Sequence, residues 1–183
     1  MKRIFSVVLI AALLMASVSA CGGDPDAAAT VTAGSVQEPP RETAAEPGPV
    51  DLAAFSQAVL TDHDFPGMDR LDPADGEFGA IMLEHAYPGL KDLDLAQLET
   101  YMAKSSFSGV ELALIQVRNT ADAARVKEIF QARIDDMSKP GNYADAAELW
   151  QHCARVAASG SYVILVNHED SDAIVSDFNG LFP

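Results

Sequence analysis

The stretch Val110 to Val117, VELALIQV, limits more than any other what this chain can fold into. Apart from Glu111 and Gln116 it is apolar on both faces of an extended chain, the pattern of a strand inside a sheet. A carboxylate within such a strand needs a partner, because an unpaired buried charge is expensive. Arg118, Arg133 and Arg155 are the candidates for Glu111, and the placement reads as a structural ion pair before it reads as a site.

Other elements arrange themselves around this strand. Leu52, Phe55, Val59 and Leu60 share one helical face behind Asp51, which is placed to favour a helix N-terminus. Thr61 to Glu77 reads as loop, with turn pairs at Pro66-Gly67, Asp72-Pro73 and Asp75-Gly76. Phe78 to Tyr87 returns to helical spacing. Asp94 to Thr100 reads as one further turn, and Tyr101 to Ser105 as a short strand. Beyond the central strand, Asn119 or Thr120 opens a long helix whose stripe is Val126, Ile129, Phe130, Ile134 and Met137. Tyr143 to His152 is a shorter helix. Ala154 to Ala158 and Tyr162 to Asn167 read as a hairpin about Ser159-Gly160-Ser161, and Asp170 to Phe182 as a final helix. The expected architecture is α+β: a four-stranded antiparallel sheet with helices mainly on one face, its order β-β-α occurring twice as in a duplication.

The N-terminus sets the location. Lys2 and Arg3 precede an apolar run, Ile4 to Met15, too short to span a bilayer comfortably, and small residues lead to Cys21. Val18-Ser19-Ala20-Cys21 resembles a bacterial lipobox, which implies diacylglyceryl transfer to the Cys21 sulfur and cleavage before it. Residues 1–20 are then a signal peptide. Residues 21–49 are a Pro- and Ala-rich tether spanning roughly 30 Å as a coil, and residues 50–183 are a single extracytoplasmic domain. The expected localisation is the outer face of the cytoplasmic membrane, reached by the Sec route. With Cys21 lipidated, Cys153 has no partner within the chain, and it reads as a small buried hydrophobe.

Charge removes several classes of partner. The chain carries a formal net charge of -15, and loss of Lys2 and Arg3 makes the mature part more acidic still. Nucleic acid and anionic headgroups need clustered Lys and Arg, so attachment to the membrane falls to the lipid on Cys21.

Candidate chemistry is sparse. Asp62-His63-Asp64 is the densest group of metal-ligand types, yet adjacent loop residues diverge and the group reads as a solvated acidic loop. Asp69, Asp72, Asp75 and Glu77 lack the calcium-loop pattern. Glu84-His85 and His168-Glu169-Asp170 have acid–base potential; Asp170 reads instead as a helix cap. The ligand or acid–base candidates are therefore His63, Glu84, His85, Glu111 and His168, with no catalytic set and no metal or cofactor implied. Tyr143 and Trp150 offer either an aromatic patch for a partner or, for Trp150, packing against the sheet.

Tyr87-Pro88-Gly89-Leu90, Glu111 to Ile115, Arg133, Tyr143 and Gly160 to Leu165, in that order, resemble a family of bacterial lipoproteins, domain of unknown function 4358. The resemblance runs from about Ile81 to the C-terminus. It implies a lipoprotein and no particular chemistry. The first functional expectation is a non-enzymatic binding module with an envelope protein or cell-wall partner. The second is a small envelope enzyme using His and Glu acid–base residues or a bound metal.

Overall fold

A computed structural model describes residues 49–183. The expected signal peptide, Cys21 and all of the expected tether but Pro49 lie outside the described residues. Five antiparallel strands, β1 (Met68–Arg70), β2 (Leu95–Ala103), β3 (Glu111–Val117), β4 (Arg155–Ser159) and β5 (Tyr162–Asn167), form one sheet in the order β1-β2-β3-β5-β4. The central position of β3 follows from its two apolar faces.

Those two faces decide the layers. Leu112 and Leu114 of β3 pack with Ile164 and Val166 of β5 beneath α1 (Leu52–Asp62) and α5 (Ser171–Gly180). Ala113, Ile115 and Val117 pack with Val163 and Leu165 beneath α2 (Glu77–Ala86), α3 (Ala123–Met137) and α4 (Ala144–Cys153). Each fully buried Leu, Ile or Phe contributes about 1.5–3 kcal/mol, so covering both faces is strongly favoured.

Three expectations are corrected. The sheet has five strands, because Met68–Arg70 pairs with Tyr101, Met102 and Ala103 at the end of β2. Helices cover both faces rather than mainly one. The β-β-α order does occur twice, as β2-β3-α3 and β4-β5-α5, but α3 and α5 pack on opposite faces. A two-fold normal to the sheet, the operation that exchanges antiparallel neighbours β3 and β5, would put both helices on one face. The repeat of element order is therefore not a structural symmetry. A smaller correction concerns Leu95–Thr100, which is strand rather than turn. Its Leu, Ala, Gln and Glu favour helix locally, and pairing with Gln116 to Ala113 overrides them.

The described chain enters on the α1/α5 face. Gln97 accepts from the Leu52 N–H (3.0 Å) and donates to the Val50 carbonyl (2.8 Å), and Tyr162 accepts from the Val50 N–H (3.2 Å).

Candidate functional site, a cleft over a buried ion pair

Glu111 opens β3 with its side chain on the α2–α4 face, and three elements converge on it. Arg133 from α3 donates through Nη2 to Oε2 at 2.7 Å and through Nε to Oε1 at 3.2 Å. Tyr87, just past the end of α2, donates its hydroxyl to Oε1 at 2.5 Å. Trp150 from α4 lies under the guanidinium, whose Cζ is 5.6 Å from the ring centroid. Exposure is 2% for Glu111, 0% for Tyr87, 9% for Arg133 and 1% for Trp150.

The electrostatics follow from this burial. Burial, the Glu111 charge and the Glu111 hydrogen bond together push the Tyr87 phenol well above its ordinary value, so it remains a donor. Burial pulls the Arg133 guanidinium down, but the charge and hydrogen bonds of Glu111 outweigh it and leave the group raised and fully charged. Charge is thus held at the core of the fold as a neutral pair.

A cleft of about 550 Å³ opens over this pair. Glu111, Arg133 and Trp150 form its buried end, and Leu71, Met82, Met102 and Met137 its walls. Exposed Phe78, His85, Lys104, Ser105 and Ser106 line the mouth. Two glycines shape it by close approach. A Cβ on Gly79 would lie 2.2 Å from the Asp72 carbonyl oxygen, so α2 can seat on the preceding turn only with glycine there. Gly109 sits at φ +68°, and its Cβ would be 3.0 Å from that of Ala146.

Not every polar atom here is satisfied. Trp150 Nε1 and Asn167 Oδ1 are buried without hydrogen-bond partners among the described residues. Asn167 pairs with Glu111 across the sheet and donates to the Gly109 carbonyl at 2.8 Å. Arg133 makes no hydrogen bond through Nη1 among the described residues, having committed its other nitrogens to Glu111.

The five sequence candidates are dispersed. Glu111 finds Arg133; the alternatives Arg118 and Arg155 pair instead with Asp94 and Asp172. His85 reaches the same cleft from α2, while neighbouring Glu84 turns away to Lys91 at 3.4 Å. His63 and His168 sit together on the other side of the fold, ring centroids 6.3 Å apart. The His168 ring stacks on Phe65 at 4.4 Å, and its Nδ1 accepts from the Asp170 N–H at 3.0 Å. Asp170 holds the N-cap position of α5 but makes no side-chain cap; its carboxylate takes His63 Nδ1 at 3.1 Å. The Ser171 hydroxyl accepts from the His168 N–H at 2.9 Å, ahead of the helix. No hydrogen bond joins any two of the five candidates.

Tyr87, Trp150 and Asn167 were not marked by sequence as members of one site. Only the charge inside an apolar strand signalled it. Tyr143 is exposed and pairs with Phe107, ring centroids 4.2 Å apart, whereas Trp150 is core. Among the described residues no group of three or more His, Cys, Asp or Glu is arranged to hold a metal ion.

The family described as Domain of unknown function (DUF4358) matches residues 77–168, just over half of the chain. The chain belongs to this family. The DUF4358 segment begins at the first residue of α2 and ends one residue past β5, so it holds Tyr87, Glu111, Arg133, Trp150 and Asn167. It excludes α1 and α5, the helices of the opposite face. Tyr87, Glu111 and Arg133, three of the positions that carry the family resemblance in sequence, meet at one point in space. No curated protein and no solved structure matches the chain.

Proposed function

We propose that this protein is a lipid-anchored binding module of the bacterial cell envelope, held to the outer face of the cytoplasmic membrane by diacylglyceryl on Cys21. It works without catalysis, and the cleft over Glu111 and Arg133 is where it grips an envelope protein or cell-wall component. The carrying observation is that the cleft is built from strand, helix and loop around a buried polar end with unpartnered donors. Concave, largely apolar sites with a few convergent polar groups are the usual form of a binding pocket. The acid–base candidates support the same reading. Glu111 already accepts three hydrogen bonds, His168 is fixed by Phe65 and Asp170, and His63 is tied to Asp170. Val50 and Leu52, among the first described residues, are hydrogen-bonded to Gln97 on the face opposite the cleft.

The second reading, a small envelope enzyme, draws on His85 and Glu111 lining one cleft. It needs Glu111 released from Arg133 and Tyr87 before that carboxylate can move a proton.

In-cell crosslinking and pull-down of the anchored protein, with Cys21→Ala as control, tests the proposal. One partner recovered in near-equal amount, and lost or reduced in Cys21→Ala, is the expected result. Cys21→Ala still fractionating with the membrane would overturn the anchor.

A further inference from the structure

The buried end of the cleft has a surplus of donors. Arg133 Nη1 has no acceptor among the described residues, and Trp150 Nε1 is buried without one. The nearby carboxylate is occupied by Arg133 and the Tyr87 hydroxyl. Asn167 Oδ1, an acceptor left over, belongs to a residue that does not line the cleft. A group entering here meets N–H donors, so its leading atom must accept.

Charge then separates the acceptors. A lone arginine would select an anion, but Arg133 is matched by Glu111 at 2.7 Å and the pair sums to zero. The cations nearer the mouth are matched too, Lys104 by Asp69 and Arg70 by Asp72 and Glu99, and the whole chain carries -15, a field that opposes anions generally. A cation would bring more donors to an end that already lacks acceptors. Around the pair, Met82, Met102 and Met137 supply flexible, polarizable walls that accommodate apolar shapes of several kinds.

We infer that the cleft selects an uncharged, mainly apolar ligand or partner group that presents a carbonyl or hydroxyl oxygen to Arg133 beside the Trp150 ring. This rests on the cleft being the binding site proposed above, and it adds the chemistry of the ligand.

Trp150 is the only tryptophan in the chain, and it lies in the cleft, so its emission reports occupancy directly. The full-length protein is titrated with four probes of equal tail: hexanamide, 1-hexanol, hexanoate and hexylammonium. Saturable changes are expected with hexanamide and hexanol, at least about ten-fold tighter than with either charged probe. Removing Arg133 alone endangers folding, so the paired variant Glu111→Leu/Arg133→Met is the control; it deletes donor and carboxylate together and keeps the site filled. In it, hexanamide binding weakens about ten-fold or more. Hexanoate or hexylammonium binding as tightly as hexanamide, or an unchanged preference in the paired variant, overturns the inference on ligand chemistry while leaving the cleft as a site. No saturable response to any of the four overturns the cleft reading itself.

Discussion

Arg133 and Glu111 face each other across the α3–sheet interface at 2.7 Å with side chains 8% and 2% exposed, and among the described residues neither has another salt-bridge partner. Burying two charges costs several kcal/mol of hydration, which their attraction offsets only with good geometry. The two-nitrogen approach of Arg133 and the added Tyr87 bond supply that geometry.

Breaking the pair from one side therefore costs more than removing it. Glu111→Gln or Arg133→Met leaves one charge buried and unmatched, and each is expected to destabilise by about 3–5 kcal/mol. Glu111→Leu/Arg133→Met removes both charges and orphans only the Tyr87 hydroxyl, so it is expected to destabilise by about 1–3 kcal/mol, less than either single change. Urea unfolding midpoints of the three variants check this ordering.

Tyr87 gives the fold a dependence on alkaline pH. Its phenol is raised when folded and ordinary when unfolded, so the native state holds the proton more tightly. The stability from this group is complete below pH ~10 and is lost as pH rises beyond it. Tyr87→Phe is expected to cost about 1.5–3 kcal/mol at pH 7 and to flatten the decline. Unfolding curves between pH 8 and 12 for both proteins measure the difference in slope.

Gly79 is expected to tolerate no side chain. Gly79→Ala puts a methyl 2.2 Å from the Asp72 carbonyl oxygen, which is backbone and cannot swing aside. A loss of about 1–3 kcal/mol in stability, read from thermal and urea unfolding, is the expected outcome.

Much of the layout was legible because the sequence encodes it locally. VELALIQV announced a central strand, and its alternating faces already required cover on both sides; placing helices mainly on one face passed over Leu112 and Leu114. The helix over Ala123–Met137 followed from its stripe. β1 was invisible, since three residues in a polar loop carry no period and pair only because β2 is extended beside them. For the site, Glu111 stood out as a charge among apolar residues, and Arg133 was among its three candidate partners. Tyr87, Trp150 and Asn167 look like ordinary core and strand residues until the sheet register and the helix packing bring them to Glu111. That is tertiary information.

The N-terminal proposal has its own test. The intact mass of the protein isolated from membranes is expected to begin at Cys21 and to carry diacylglycerol on that sulfur, with Cys153 the one free thiol. A chain beginning elsewhere, or an unmodified Cys21, would remove the anchor.

The central claim is that the cleft is where this protein meets its partner in the envelope. Photo-crosslinking in living cells tests it most directly, with a benzophenone side chain at His85 or Ser105 on the cleft mouth and, as control, at Thr61 on α1 of the opposite face. The account predicts one discrete adduct from His85 and Ser105 and none from Thr61. Adducts from Thr61 alone, or from neither face, would contradict it.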